Sequence, residues 1–528
     1  MDRVSRLLAA LVVVAALLPV AAAAADPYPV TSTADSGPGT LRTAIESANA
    51  HEGADTIPIE VTGTVGLQTE LPTIYGDVSI VGPGAQLLNV RREAAAAFGI
   101  FQIGPTRKAN FSGLTISNGL DLEGAGIDSY QGIVTLTGVV IAGNEARSVN
   151  GAGGSGGGIH NYMGSLTLRD SVVRDNHAVD VEADGSALVG GGGIWSFGEL
   201  TIEGSTISGN TVFGDAGNEE PAWADGGGME ILDGPITVDR STISGNSVVS
   251  EGSTKSTAKG GGIRGVGATF TSSTVTGNSV TSTGTALGAN FDFFGKAELR
   301  NTIVAEPLGA DSCSGILGSG GFNLDEDGSC QLEAGSDQAE VVSGLDPVLR
   351  DNGGPTPTHA LLPGSPAVDK GSAFGGSADQ RGLPRPVDFP MIGDLEGGDA
   401  SDIGAFELQF PLPPAGAAPG AVAESPPGPP GHVIAIPADT TPPNTRIVRA
   451  PTRVTLDRFA KFRFASTEAQ SHFQCKVDGR RWRECRSPYK QRVARGNNHV
   501  FKVRAIDRFG NVDPTPARFG WRVKELGR

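Results

Sequence analysis

Five residues occupy equivalent places after five glycine-rich openings: Asp128, His160, Trp195, Glu230 and Arg264. Carboxylates and an imidazole can move protons. A guanidinium can hold a carboxylate, and an indole can stack on the apolar face of a sugar ring. Such a set would serve glycan binding, or polysaccharide cleavage by a lyase or glycoside hydrolase.

Spacing argues against cleavage by these five alone. Asp128 and Glu230 lie three repeats apart, about 14 Å if each repeat adds one strand at the usual separation. The carboxyl pairs of glycosidases stand roughly 5–9.5 Å apart. A lyase would need a base facing an acid cluster that holds calcium. Only Arg264 beside Glu230 approaches that, and an ion pair between neighbouring strands is the simpler account. Neither an H-E-x-x-H zinc pattern nor a Walker phosphate loop occurs in the chain. The expectation is a binding column without an assigned catalytic residue, with cleavage as the alternative.

The column exists because the chain repeats. Units open at Gly124–Ile127, Gly156–Ile159, Gly191–Ile194, Gly226–Met229 and Gly260–Ile263, and each closes on a variant of S-T-[IV]-x-G-N. The closing residues are Asn144, Asn176, Asn210, Asn246 and Asn278, spaced by 32, 34, 36 and 32. Between opening and close lie alternating segments such as Leu166-Thr167-Leu168, Leu200-Thr201-Ile202 and Ile236-Thr237-Val238. Three short strands per unit describe one coil of a parallel β-helix, with the aliphatic residues inward and the threonines outward. Stacked coils would align the asparagines into a ladder of amides, and Asn also tolerates the left-handed backbone of a tight corner. The 11 to 15 residues from each Asn to the next opening read as long loops that could wall a groove beside the column. Glycine, at 77 of 528 residues, is about twice its usual share, which suits an all-β chain with many turns.

The ends of such a stack need cover. Residues 40–49, TLRTAIESAN, form the one good amphipathic helix, with Leu41, Ala44, Ile45 and Ala48 on one face. It reads as an N-terminal cap. This opening resembles that of secreted bacterial right-handed parallel β-helix proteins, whose fold is similar to pectate lyases. The run DNGGPTPTHAL at 351–361, followed by GSPAVDKG, ADQRG and DIGAFE, resembles the choice-of-anchor Q segment that follows such helices. The resemblance implies a right-handed β-helix over 26–344 with a C-terminal segment at 345–408, and sugar sites beside the outward column. In that group the segment often precedes a surface-anchoring signal; no sorting motif or apolar tail follows here.

Residues 409–443 hold eleven prolines and read as a semi-extended linker. Residues 444–528 alternate as about seven short strands of a small β-sandwich. Their Cys, Trp and Cys, with the later run from Arg504 to Ala517, resemble bacterial immunoglobulin-like modules. Asp507, Asn511 and Asp513 in that run could bind calcium, although turn formation explains them better; no other cofactor is expected. Residues 440–528 carry 21 Lys and Arg against 7 Asp and Glu, leaving 20 basic and 51 acidic residues on the rest. The acidic body is a poor partner for nucleic acid, while the basic end could touch anionic cell-wall polymers.

Residues 1–25 read as a secretory signal peptide: Arg3 and Arg6, an apolar run from Leu7 to Val20, then Ala23-Ala24-Ala25 before Asp26. No other stretch approaches the ~18 apolar residues of a membrane span. Of three possible cysteine pairings, the local ones, Cys313 with Cys330 and Cys475 with Cys485, are favoured because each stays within one domain. No metal site is expected at these cysteines. The sequence thus describes an exported, monomeric surface or extracellular protein that contacts glycans or the cell envelope.

Overall fold

The computed structural model describes residues 27–409 and 443–524, apart from 149–152, 183–184, 218–219, 363, 444, 452–453, 456–457, 467–471, 488, 495–497 and 507–510. The signal-peptide reading, nearly all of the linker reading and Asp507 therefore lie outside the described residues. The chain divides into two compact units, Met1–Ala421 and Val422–Arg528.

The first unit is almost entirely β. Among the described residues, its parallel strands stack into four sheets of fourteen, eleven, six and five strands, a β-helix-like arrangement. Alternation dictates the packing. Leu136, Leu168, Ile202, Val238, Phe270 and Leu299 are successive partners in the largest sheet, and all are fully buried in one core. The intervening threonines, such as Thr201 and Thr237, face away. The helix Leu41–Ala50 begins at a Thr40 N-cap and turns Leu41, Ala44, Ile45 and Ala48 into the same core. Among the described residues, no helix is long and apolar enough to cross a membrane.

The segments expected to be loops are strands. After Asn210, for example, the chain forms Thr211–Asp215 and then Ala222–Asp225 before the next opening. Equivalent strands in neighbouring coils make the six- and five-stranded sheets. These pack over a thin interior of Ala178, Val189, Val212, Ala224, Val248, Ala258 and Val280. The result is a flat flange beside the main core. Its inward residues are mostly Ala and Val, so two sheets can close over them at short range.

Flange and main core meet at a narrow neck. Asn144, Asn176, Asn210, Asn246, Asn278 and Asn290 are buried there, each Nδ2 donating to the next Oδ1 at 2.9 Å. Each Nδ2 of the middle four also donates to a backbone carbonyl, as Asn210 does to Val173 at 3.0 Å. The left-handed corner residue is not the asparagine, contrary to expectation. It is the residue before it: Gly143, Asp175, Gly209, Gly245 or Gly277. That residue absorbs the turn and leaves the amide free to point inward. The glycine triplets complete the neck. Gly191 has φ +65°, and a Cβ on Gly193 would lie within 3.0 Å of the Asn210 amide. A parallel ladder of buried Ser171, Ser205, Ser241 and Ser273 lines another corner, each Oγ accepting from the preceding coil at 3.1–3.2 Å.

Residues 345–408 lie along the side of the coils. They cover the eleven-stranded sheet where its outward residues are Thr206, Thr242 and Thr274, all buried. Gln380 donates to Thr206 Oγ1 at 2.9 Å and accepts from Thr242 Oγ1 at 2.6 Å. His359 pairs with Ser244 at 2.7 Å, and the Ala405 N–H donates to Thr274 Oγ1 at 3.0 Å. The ADQRG and DIGAFE motifs, with Arg385 just after the first, supply buried ion pairs, Arg381 with Asp379 and Arg385 with Glu407. Cys313 is bonded to Cys330.

Among its described residues, the second unit has eight strands in two sheets, of three and five. Phe462, Phe464, Phe501, Val503 and Trp521 form its core. Cys475 is bonded to Cys485. Trp482 lies outside the buried core, between Lys476 and Arg504 at 4.4 and 4.6 Å.

Replacing Asn210 with Ala removes the acceptor for the Asn176 N–H and the donor to Val173 and Asn246. Orphaned buried groups cost about 1–3 kcal/mol each, so Asn210→Ala should lose about 3 kcal/mol of stability in a denaturant melt. Exchange of Ile207 for Val, which leaves the ladder intact, should cost about 1 kcal/mol.

Candidate functional site

The five column residues stand in one register, His160 opposite Asp128 and Trp195, then Glu230, Arg264 and Asp292. Asp292 escaped the sequence reading because its coil opens Gly288-Ala289-Asn290-Phe291, with Asn and Phe where the other openings have Gly and then Ile or Met. The column points away from the core, yet His160 and Glu230 are buried. The cause is the flange. At each opening the chain doubles back so sharply that a Cβ on Gly191 would lie 2.7 Å from that of Trp195. The last flange strand and the main sheet therefore face each other across a crease, with the column as its floor.

Strand alternation defines the flange wall of the crease. In Ala187–Gly190 and Ala222–Asp225 the first and third residues are buried in the flange. Leu188, Gly190, Trp223 and Asp225 thus face the crease side. Gly190 and Asp225 sit low: a Cβ on Gly190 would collide with Glu230, and Asp225 pairs with Arg264 at 3.0 Å. Leu188 and Trp223 are adjacent register partners higher on the wall and are 61% and 38% exposed. The sequence reading missed both, because they belong to strands it took as loops. On the main sheet Tyr130, Tyr162 and Phe197 stack at 5.4 and 5.8 Å, and Tyr130 is half exposed.

The floor divides into two parts. His160 Nδ1 lies 2.8 Å from Asp128, and its ring stacks on Trp195 at 4.6 Å. Trp195 thus has one face covered, and its indole N–H donates to Glu230. Beyond it Arg264 gathers three acids: Glu230 at 2.7 Å, Asp225 at 3.0 Å and Asp292 at 3.7 Å. One guanidinium cannot balance three buried carboxylates. Burial, and then Asp225, push Glu230 up to about 8 despite Arg264. Burial also raises Asp225 to about 6, against the pull of Arg264 and Lys259. One Asp225 oxygen and the Arg264 Nε are buried without hydrogen-bond partners, so the cluster has bonding capacity to spare.

In the second unit Asp513 accepts from the Thr445 and Thr515 N–H groups at 2.9 and 2.7 Å. Burial raises its pKa, but these hydrogen bonds outweigh it and hold the carboxyl below its usual range. Arg458, Arg480 and Arg492 line a shallow concavity of about 690 Å³ around Asp478 and the buried His499.

No protein-family model matches the chain, and no curated protein does. A solved structure of ORF18 from Geobacillus virus E2 is similar at 15% identity, over 56% of this chain and 61% of that one, with a TM-score of 0.22. The chain therefore covers less than two thirds of that protein, and a likeness this weak carries no argument.

Because folding raises the Glu230 pKa, the folded state binds a proton that the unfolded state releases above about pH 4.5. The associated stability is fully present below that pH and is lost as pH rises through about 8. Wild-type melting temperature should fall between pH 5 and 8 more steeply than that of Glu230→Gln. Equal slopes would show that Glu230 is ionised throughout.

Proposed function

We propose that the crease binds a glycan strand and that the protein is an exported binding protein of the cell surface or envelope. The observation that carries this reading is Trp223, a large ring left exposed on a wall directly above a buried polar cluster. Exposed apolar rings beside unspent hydrogen-bonding groups suit sugar rings, which present apolar faces and hydroxyl edges. Leu188 and Tyr130 extend the apolar surface. The role first given to Trp195 passes to Trp223, because Trp195 is stacked on His160 and bonded to Glu230. The crease contains Glu123, Asp128, Asp225, Glu230 and Asp292 against His160, Lys259 and Arg264. That acid excess favours a glycan without acidic sugars.

The rest of the chain fits an envelope protein. Residues 26–408 are read as a right-handed parallel β-helix closed by the helix Leu41–Ala50, with 345–408 as its choice-of-anchor Q segment. Residues 444–528 are read as an immunoglobulin-like sandwich whose basic surface contacts anionic envelope polymers. Trp482, wedged between Lys476 and Arg504, is not the buried Trp that such modules place against their disulfide. The two local disulfides suit an oxidising compartment.

A second reading, glycan hydrolysis, draws on Glu230 as an acid that keeps its proton near neutral pH. Arg264 argues against it. The guanidinium stands between Glu230 and Asp292 in the register and pairs with Glu230, where a catalytic pair would leave room for substrate.

A glycan array probed with the full chain, with reducing-end assays on each hit, separates these readings. Trp223→Ala should weaken binding about tenfold, the effect of losing about 1–1.5 kcal/mol of stacking, with the melting temperature unchanged. New reducing ends that vanish in Glu230→Gln would establish hydrolysis. Retention by Trp223→Ala, with loss in an Arg458, Arg480 and Arg492 triple alanine variant, would move the site to the second unit.

A further inference from the structure

Asp369, in the GSPAVDKG motif, is fully buried beneath a bend formed by residues 388–394. Its N–H donates to Asp402 Oδ1 at 2.9 Å, and its Oδ2 accepts from the Phe389 N–H at 3.0 Å. Its Oδ1 is buried without any hydrogen-bond partner. A buried carboxylate oxygen with no donor costs free energy unless something else neutralises it. Asp388 and Asp394, at the two ends of the bend, each bring a carboxylate oxygen within 4.8 Å of the others and of Asp369.

Besides the Asp369–Phe389 hydrogen bond, two contacts that do not involve the three carboxylates hold the bend. Ile392 N–H donates to Phe389 O at 2.7 Å, and the Lys370 ammonium donates to the Gly393 carbonyl. Three carboxylates against one ammonium leave the pocket two charges negative when ionised.

We propose that Asp369, Asp388 and Asp394 bind a calcium ion that clamps the 388–394 bend onto the segment covering the coils. The ligand set is all oxygen and carries no nitrogen or sulfur donor, which suits a hard cation. Oxygens sharing one Ca²⁺ at 2.3–2.6 Å can stand up to about 5 Å apart, and these three meet that limit. Asp388 and Asp394 are exposed, so water completes the shell. The irregular mixture of one buried and two solvent-facing carboxylates favours Ca²⁺ over Mg²⁺, which demands near-octahedral ligands. Bound calcium would stiffen the segment that seals Thr206, Thr242 and Thr274.

Calorimetric titration of CaCl2 into chelator-treated full chain tests this, with thermal melts in parallel. Wild type should bind with a Kd of about 10⁻³ M or tighter, and saturation should raise its melting temperature by about 2–4 °C. Asp388→Asn combined with Asp394→Asn alters only exposed groups and should keep the metal-free melting temperature. It should weaken calcium binding at least tenfold and abolish the thermal shift, and MgCl2 should give a smaller shift in wild type. No heat and no shift up to about 10 mM Ca²⁺, well above the expected Kd, would overturn the site. So would identical titrations of wild type and double variant, which would place any calcium elsewhere, for instance at Asn511 and Asp513.

Discussion

The amide ladder at the neck is the contact on which the rest of the first unit depends. At each coil the chain leaves the main core at an asparagine and returns at a glycine triplet. The two passes are so close that a Cβ on Gly192 would lie 2.6 Å from the Thr211 carbonyl and 2.4 Å from that of Gly227. Backbone brought this near in a dry interior must have its polar groups satisfied. The asparagines do so by bonding backbone and each other at once. The flange projects from this neck, and the crease lies where its last strand turns back into the main sheet.

The crease floor concentrates what folding alone would avoid. Buried carboxylates are costly unless paired, and here three share one guanidinium. Repeating coils make this possible, since each adds one position to the same column at about 4.8 Å and neighbours compensate along the stack. Gly190 is part of the arrangement, because any side chain there would occupy the space of the Glu230 carboxylate. A local departure from core chemistry within an otherwise regular stack is where function is expected. The 345–408 segment is the counterpart on another face. Its motifs turn buried charge inward to hold a cover over threonines that would otherwise be wet.

Periodicity made the solenoid legible. Alternation around Leu200 and Ile202 assigned inward residues, and the recurring Asn marked an amide ladder, although the repeat alone put it at a tight corner rather than at a neck between two cores. The flange was not legible, because its strands are short and its interior is Ala and Val set among Gly, Ser and Asp. That composition is indistinguishable from loop until two such sheets are laid together. Trp223 and Leu188 were hidden for the same reason, since a residue's facing is defined only once it belongs to a strand. Asp225 sits just before a glycine opening, outside the column that the repeat defined, though it completes the cluster around Arg264. The buried charges of the ADQRG and DIGAFE motifs were visible only as a pattern, because burial depends on what packs against them.

Hydrogen–deuterium exchange of the full chain, with and without a glycan retained on the array, tests the central claim most directly. Ligand enclosed by flange and main sheet should slow exchange at 187–190, 194–197 and 222–225 together, on both sides of the crease. Protection confined to 445–524, or to the main-sheet strands without the flange, would contradict the account.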